Sequence, residues 1–503
     1  MTGSIQAHPL PTLAAPAAPD GDPVVVPRQK VLLVKAPARL GTVLGLQTFM
    51  LLEPLEFGYL AAAVAEHEVR VLDLRLNRFP LRAFKRMLRR FRPDVVGFTA
   101  YSHESSAVKD LARTVRERLP RARIVVGGHH ATSVAPDFDL PQFDAVVRGE
   151  GCEPFRELVT RTALGKDFLG IENVLVPGPA FDPAAARGWP RPTDPAKLPR
   201  ARRDLWSKDS YYCIWPAEKL PVLQSVYPSV AMMRTSWGCY MKCSFCVVPH
   251  LSDGKHVPRE VSDVVDEIES LETDYVYFSD DENFINAKFA MAVAEEIERR
   301  GIRKRYFAWT RSTTVNRSPE LMRKWHEVGL DGIFIGFEFI DDADLKAHSK
   351  AATVKANEQA LETLRDLDIV VHAAFIIRSD YTEADFDRLR AYVQAMPPSQ
   401  CSFTVFTPIP GTAEYAQYAD QITVENAYDY HDCMHPILPM SLSLEEFSRL
   451  YARQVVEGIR KTPLRVNHHL APPRDMLRVW WADRRYGRSY ARLYRDYPAS
   501  MRG

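Results

Sequence analysis

Three cysteines lie close together near the middle of the chain, at Cys239, Cys243 and Cys246. Three residues separate the first pair and two separate the second, and thiolates at such intervals can bind three irons of a cubane cluster. The fourth iron then stays open to a ligand from outside the chain. A zinc site with His250 as fourth ligand is the alternative, but structural zinc takes a closed set of four ligands at other spacings. The pattern therefore predicts a [4Fe–4S] cluster.

The triplet follows the first of six short apolar runs that alternate with amphipathic helices. These runs are residues 229–235, 274–278, 306–310, 332–339, 370–377 and 401–407. Such alternation is typical of βαβ units and a parallel sheet. Six units predict a partial (β/α)6 barrel over residues 229–412, with its active site at the carboxyl ends of the strands. A mostly helical region, residues 413–503, follows.

A second alternating series lies nearer the N-terminus. Its apolar runs are residues 30–37, 68–74, 94–99, 123–128 and 145–148. They predict one doubly wound, Rossmann-like α/β domain over residues 29–163, whose ligand would bind beyond the carboxyl ends of the strands. Residues 1–28, rich in proline and alanine, are predicted to be a disordered leader, and the proline-rich residues 164–228 a linker.

The composition is that of an ordinary globular protein. A net charge of +1 gives no reason to expect a nucleic-acid partner. No run approaches the ~18–20 apolar residues that cross a bilayer, and no signal peptide is evident. Seven cysteines in such a chain do not suggest a disulfide scaffold, so we expect a cytoplasmic protein. Cys152, Cys213, Cys401 and Cys433 are predicted to be ordinary buried or semi-buried thiols, not ligands.

The run RTSWGCYMKCSFC at residues 234–246 resembles the signature of the radical S-adenosylmethionine (SAM) superfamily. The resemblance implies an enzyme that cleaves SAM reductively to a 5′-deoxyadenosyl radical, which abstracts hydrogen from an unactivated position. It also implies that SAM is bound by Phe245, Asp280, Asp281, Glu282, Arg311, Glu338 and Pro410. The acidic residues would accept hydrogen bonds from the amino group, Arg311 would pair with the carboxylate, and Glu338 would contact the ribose. The acidic run could instead cap the next helix.

A doubly wound domain before such a barrel resembles the cobalamin-binding class of radical SAM enzymes, as do residues 52–58, 94–98, 126–130 and 148–151. This resemblance, over roughly residues 30–412, implies a cobalamin site made of Thr99, Tyr101, Ser102, His103, Gly127, Gly128, His129, Gly149 and Glu150. Residues 36–45 contain no histidine, so the Asp-x-His-x-x-Gly axial-ligand motif is absent. The lower face of cobalt is therefore expected to lack a protein nitrogen, with Tyr101 and His103 nearest to it.

Within that class the sequence resembles the hopanoid C-3 methylase group, through residues 52–55, 306–311, 335–341 and 435–447. This implies a methyltransferase acting on an unactivated carbon of a small-molecule or lipid substrate. One SAM would methylate cob(I)alamin to methylcobalamin, a second would yield the radical, and a flavodoxin or ferredoxin would supply electrons. A non-methylating rearrangement, cyclisation or oxidation stays open. A non-catalytic cobalamin module is a third reading, against which the cysteine triplet argues.

The end of the chain is rich in arginine and aromatic residues. Residues 474–497 contain seven arginines against three aspartates. They are interleaved with Leu477, Trp480, Trp481, Tyr490, Leu493, Tyr494 and Tyr497. Several fall at helical spacings, which predicts an apolar stripe beside a cationic face. We expect either a helix packed against the barrel or a peripheral contact with an anionic membrane, and Gly487 disfavours a single long helix.

Overall fold

The computed structural model describes residues 26–185, 194–397, 399–460 and 468–501. The predicted leader lies outside the described residues except for positions 26–28. Elements are numbered below in chain order within the described ranges.

The first half of the chain forms a six-stranded sheet between two layers of helices. Its strands, together with two short ones that pair with each other, are β1 (Lys30–Lys35), β2 (Met50–Leu51), β3 (Glu68–Asp73), β4 (Val95–Thr99), β5 (Arg123–Gly127), β6 (Ala145–Val147), β7 (Val174–Leu175) and β8 (Tyr212–Cys213). The helices are α1 (Gly41–Leu46), α2 (Leu55–Ala63), α3 (Pro80–Phe91), α4 (Ser105–Arg118), α5 (His129–Ser133) and α6 (Cys152–Ala163). The order β3-β1-β4-β5-β6, extended by antiparallel β7, is that of a flavodoxin-like doubly wound sheet, which confirms the predicted class.

The central strand β1 shows why this sequence makes such a sheet. Leu32 and Val34 pack into the core beneath α3 and α4, whereas Val31 and Leu33 pack into a separate core beneath α2 and α6. A strand covered on both faces needs apolar residues at every position, and all four of these side chains are fully buried.

The second half forms the predicted partial barrel and the helical region that follows it. The strands are β9 (Val230–Met233), β10 (Ser236–Trp237), β11 (Val257–Pro258), β12 (Tyr275–Phe278), β13 (Arg305–Thr310), β14 (Leu330–Glu338), β15 (Val370–Ile377) and β16 (Gln400–Val405). The helices are α7 (Val248–Leu251), α8 (Val261–Ser270), α9 (Ala287–Arg299), α10 (Ser312–Arg317), α11 (Pro319–Glu327), α12 (Asp342–Ala347), α13 (Val354–Asp366), α14 (Glu383–Ala395), α15 (Ala413–Tyr418), α16 (Leu444–Arg460) and α17 (Pro473–Ala491). Six parallel strands lie in the order β9-β12-β13-β14-β15-β16, which is their order in the chain.

Parts of the region predicted as a linker are tightly packed. Trp215 is fully buried, and its Nε1 donates a hydrogen bond to Asp331 at 2.7 Å. Arg203 forms ion pairs with Glu53 and Glu267. Glu53 also accepts a hydrogen bond from the backbone N–H of Met232 in β9, at 2.8 Å. The motif at residues 52–55 thus joins the first domain to the first strand of the barrel.

Helix α17 packs against α16 and α1. Tyr490, Leu493 and Tyr497 belong to the barrel core, so this part of the apolar stripe is packing surface. Contrary to expectation, the helix runs through Gly487 without a break. Glycine at this position allows close packing against α16, since a Cβ there would lie 2.8 Å from Val456 Cγ2. None of the described helices is both long and apolar enough to span a membrane.

Candidate functional site

The three cysteines lie on the loop between β10 and α7. Cys239 and Cys243 are buried and Cys246 is half-buried. Burial raises the pKa of Cys239, and it raises the pKa of Cys246 to about 12. Cluster ligands are thiolates, so ionisation here requires cations close by, which is what cluster irons provide. Among the described residues, no group of three or more His, Cys, Asp or Glu side chains is arranged to hold a single metal ion. Cluster thiolates bind three different irons, so they do not have to converge on one point.

Gly238 fixes the start of this loop. Its φ of +81° lies in the left-handed region, and a Cβ would sit 2.1 Å from the carbonyl oxygen of Lys255 and 2.5 Å from Cβ of Ser252. Only glycine fits such a position without displacing backbone. Packing and backbone conformation therefore both require glycine immediately before Cys239.

Two of the predicted SAM-binding carboxylates hold this same region in place. Asp280 accepts hydrogen bonds from the N–H and hydroxyl of Thr235 and from the hydroxyl of Ser236. Asp281 accepts from the backbone N–H of Gly238 at 2.8 Å and from Arg234 Nη2 at 2.6 Å. Both therefore position the approach to the cysteines, and their contact with SAM stays a prediction.

Arg311 lies against the cysteine loop. Its Nη1 donates to Cys243 Sγ at 3.2 Å, while Nε and Nη2 are buried and meet no acceptor among the residues that the structure describes. Buried donors are normally satisfied, so a bound anion such as a carboxylate fits this place. Glu282 accepts from the Thr310 hydroxyl, and burial raises its pKa to about 7 against the opposing influence of Thr310 and Arg311.

The other side of the triplet is held by residues that the sequence did not single out. Glu414 accepts from the Ser244 hydroxyl at 2.5 Å and is 2.8 Å from His348 Nδ1. His348 in turn contacts the ring of Phe245, the predicted aromatic partner of SAM, at 6.3 Å between centroids. The sequence offered one hint, that Glu414 follows the predicted SAM residue Pro410 by four positions, and spacing alone could not identify these partners.

Of the last two predicted SAM residues, Glu338 lies at a strand end and Pro410 in the loop after β16. Glu338 ends β14 in a left-handed conformation, at φ 64°, and pairs with Lys350 Nζ at 2.7 Å. Buried Pro410 precedes Gly411, which packs against the His250 ring. His250, the alternative zinc ligand, thus lies against the loop that contains Pro410.

A cavity of about 400 Å³ lies between the two sheets. On one side it is bounded by the ends of β4, β5 and β6, and on the other by the end of β9 and the residues after β12. Seven predicted cobalamin residues form part of its wall: Thr99, Tyr101, Gly127, Gly128, His129, Gly149 and Glu150. The cluster side contributes Arg234, Gly238, Val248 and Asp281. The carboxyl edges of both sheets therefore open into one space.

Ser102 and His103 lie outside this wall. The Ser102 hydroxyl bonds to His130 Nδ1 at 3.0 Å, and His130 Nε2 is 2.9 Å from Asp137. His103 stacks beside Tyr101, with 6.2 Å between ring centroids. The structure thus places Ser102 and His103 next to Tyr101 but outside the cavity wall.

Tyr101 rests on a buried ion pair that the sequence did not reveal. Lys35 Nζ lies 4.8 Å from the Tyr101 ring centroid and 3.1 Å from Glu104 Oε2. Burial alone would lower the pKa of Lys35, but Glu104 and Glu56 outweigh it and raise it. Lys35 is the last residue of the apolar run that forms β1. The pattern of that run predicted a strand but gave no sign that its final lysine is buried in an ion pair.

The histidine nearest the cavity is neutral. Burial, assisted by Arg234, lowers the pKa of His129 to about 4. The edge of its ring meets Tyr101 at 5.0 Å. Residues of α2 complete the wall with Glu56, Tyr59 and Leu60. The sequence did not assign them to the site, although Glu56 lies within the motif at residues 52–58 and Tyr59 and Leu60 follow it directly.

Comparison with known proteins agrees with this geometry. The family model of the B12 binding domain matches residues 41–159, and that of the radical SAM superfamily matches residues 233–393. The hopanoid C-3 methylase of Methylococcus capsulatus is 30% identical over 410 residues, covering 80% of this chain and 75% of that protein. The chain belongs to the cobalamin-binding radical SAM enzymes. It is a radical SAM enzyme with a [4Fe–4S] cluster, SAM and cobalamin as cofactors.

Two further relatives of this cobalamin-binding radical SAM enzyme bear on its reaction and fold. An anaerobic magnesium-protoporphyrin IX monomethyl ester cyclase of Cereibacter sphaeroides is 29% identical over 371 residues, covering 71% of this chain and 58% of that protein. The solved structure of the enzyme OxsB with aqua-cobalamin and SAM bound superposes with a TM-score of 0.62 at 14% identity, covering 93% of this chain and 72% of that one. OxsB therefore supports the fold alone.

The residues present fit these cofactors. The triplet offers three thiols on one loop, and the unsatisfied donors of Arg311 fit a carboxylate. The cavity offers a largely neutral edge with Gly128 at φ +96°, where a Cβ would come within 2.6 Å of Thr99 Oγ1. A side chain there would crowd the strand end that a large ring must approach.

Proposed function

We propose that this enzyme is a cobalamin-dependent radical SAM methyltransferase that methylates an unactivated carbon of a small-molecule or lipid substrate. One observation carries the proposal: the edge assigned to cobalamin and Gly238, the first residue of the cysteine loop, line the same cavity. A substrate in that space would have both reactive groups within reach. The hopanoid methylase relative supports the same reaction class.

The cofactors carry the difficult chemistry: cobalamin supplies a transferable methyl group, and SAM on the cluster supplies a carbon radical. The chain positions them. Asp281 and Gly238 fix the start of the cysteine loop, and Arg311 supplies two free donors for an anionic group beside it. Leu55, Leu60 and other apolar side chains of the wall keep water from a reactive intermediate.

Cyclisation without methyl transfer is the second candidate, because the cyclase relative has nearly the same identity. The two reactions consume SAM differently. Methylation uses one molecule as a methyl donor and one as a radical source, so it yields S-adenosylhomocysteine and 5′-deoxyadenosine in equal amounts. Cyclisation yields 5′-deoxyadenosine without S-adenosylhomocysteine.

The test uses anaerobically reconstituted protein that contains both cluster and cobalamin. It is incubated with SAM labelled in its methyl group and with fractionated small molecules and lipids. A flavodoxin or ferredoxin, the reductant class that we propose, supplies electrons. We expect a product that has gained the labelled methyl group, with equal amounts of the two SAM products. A product without label would favour cyclisation and reject methyl transfer. The Cys243→Ala protein serves as a control that should form neither 5′-deoxyadenosine nor product.

A further inference from the structure

Helix α17 buries one side and exposes the other. Val479 and Tyr490 are buried, whereas Leu477, Trp480 and Trp481 are 58%, 41% and 58% exposed. The two indole rings meet edge to face, with 5.2 Å between centroids. Two adjacent exposed tryptophans are costly in water, and nothing in the cofactor site needs them.

A loop beside the start of α17 exposes two more apolar side chains. Val222 and Leu223 are 69% and 59% exposed, and the Leu223 N–H donates to the carbonyl of Leu470, just before α17, at 2.7 Å. Leu223 has φ 64°, an uncommon conformation for a bulky residue. We call these five exposed side chains, Val222, Leu223, Leu477, Trp480 and Trp481, the tryptophan surface.

The exposed charges on α17 have one sign. The exposed charged side chains of α17 are all arginines: Arg474, Arg478, Arg484, Arg485 and Arg488. The two aspartates of the helix are withdrawn, since Asp475 is buried and accepts from the N–H of Val226 at 2.9 Å, and Asp483 is half-buried. The Arg484 guanidinium lies over the Trp480 ring at 4.4 Å.

We propose that the tryptophan surface docks on an anionic lipid bilayer. Tryptophan favours the boundary between headgroups and acyl chains, and the surrounding arginines fit anionic headgroups. A symmetric pair of chains would instead bring arginines against arginines, which is unfavourable. Nucleic acid would satisfy the arginines but would leave the leucines and Val222 in water. This inference does not depend on which reaction the enzyme catalyses.

The experiment measures sedimentation of the reconstituted full-length enzyme with vesicles. One set is phosphatidylcholine, and the other is phosphatidylcholine mixed with phosphatidylglycerol. We expect binding to the mixed vesicles at low salt, release as salt rises, and little binding to phosphatidylcholine alone. Arg484→Gln/Arg485→Gln should weaken the partition by about 30-fold. Trp480→Ser/Trp481→Ser should also weaken it, and a blue shift of tryptophan fluorescence on vesicles should disappear.

A matched control removes two exposed arginines elsewhere. Arg118→Gln/Arg121→Gln, at the end of α4, should bind vesicles as the unmodified enzyme does. All variants should keep full iron content and SAM cleavage, which separates surface effects from misfolding. Binding that ignores lipid charge, or equal loss in the α4 variant, would overturn the proposal. So would a chain dimer that the Trp480→Ser/Trp481→Ser change dissolves, or preferential binding of duplex DNA over vesicles.

Discussion

The two sheets present very different edges to the cavity that they share. The first domain offers mostly glycines and uncharged side chains, such as Gly128 and Thr99, at the ends of its strands, with Glu56 and Glu150 as the carboxylates of its wall. The barrel offers charged groups held by hydrogen bonds, among them Arg234 and Asp281. Both are parallel sheets that bind ligands at the carboxyl edge, so the difference lies only in the residues that end the strands. A neutral, open edge fits a wide ring, and a charged edge fits a zwitterion beside a cluster.

The largest effect is expected at the charged edge. Gly238→Ala should abolish cluster binding, because its Cβ would strike the Lys255 carbonyl and displace the cysteine loop. Gly254→Ala is the matched control: it has a similar φ of +61°, with no atom within 4 Å of the added Cβ. Iron content and the optical spectrum after reconstitution give the result. Full iron content in the Gly238→Ala protein would show that packing at this position does not set the loop.

A smaller effect is expected for the guanidinium beside the cluster. Arg311→Met should slow 5′-deoxyadenosine formation on the order of 100-fold, as loss of one partner of a buried charged pair commonly costs about 3 kcal/mol. Arg317→Met removes the same charge from the following helix and should change the rate little. A normal rate of SAM cleavage in Arg311→Met would contradict the anionic ligand assigned to Arg311.

At the neutral edge the effect should be limited to cobalamin. Gly128→Ala places a Cβ 2.6 Å from Thr99 Oγ1 and 2.9 Å from the Ala100 nitrogen, at φ +96°. Strain of roughly 1–3 kcal/mol should weaken corrin binding about 10- to 100-fold and leave iron content unchanged. Gly165→Ala, with φ +67° and no neighbour within 4 Å, is the control. Joint loss of corrin and iron would mean that the edges are not independent.

The smallest measured change, a few degrees of melting temperature, concerns how the two halves are held together. The Thr42 hydroxyl in α1 donates to Asp432, which lies 2.9 Å from His435 Nδ1, and His435 Nε2 is 3.2 Å from Asp496. Burial alone would lower the pKa of His435, but the two carboxylates outweigh it and raise it to about 9.

The pKa of His435 is higher in the folded protein than in the unfolded chain, so the protonated His435 stabilises the fold. This stabilisation is complete below about pH 6.5 and is lost as pH rises through 9. It amounts to about 3 kcal/mol. The melting temperature should therefore fall by a few degrees between pH 7 and 9.5, with both cofactors still bound. His435→Gln should be less stable at pH 7 and should show a flatter profile. An equally steep profile in that variant would exclude His435 as the group responsible.

The sequence predicted what depends on local pattern. Continuous apolar runs gave both sheets, and the spacing of Cys239, Cys243 and Cys246 indicated a cluster. Contacts between distant residues left no such pattern: Glu53 meets Met232 across 179 positions, and Asp281 meets Gly238 across 43. Helical spacing likewise could not tell which aromatic residues of α17 face the core, since that depends on α16 and α1.

The most direct test of the central claim is a magnetic resonance experiment on the unmodified enzyme. Protein containing cob(II)alamin and the reduced cluster is frozen, and the spectrum is compared with those of samples that carry only one of the two centres. If both sites open into one cavity, the two spins should interact, and each signal should be broadened or split. The cob(II)alamin signal should also lack nitrogen splitting from a histidine. A spectrum that is the simple sum of the separate centres would contradict a shared cavity.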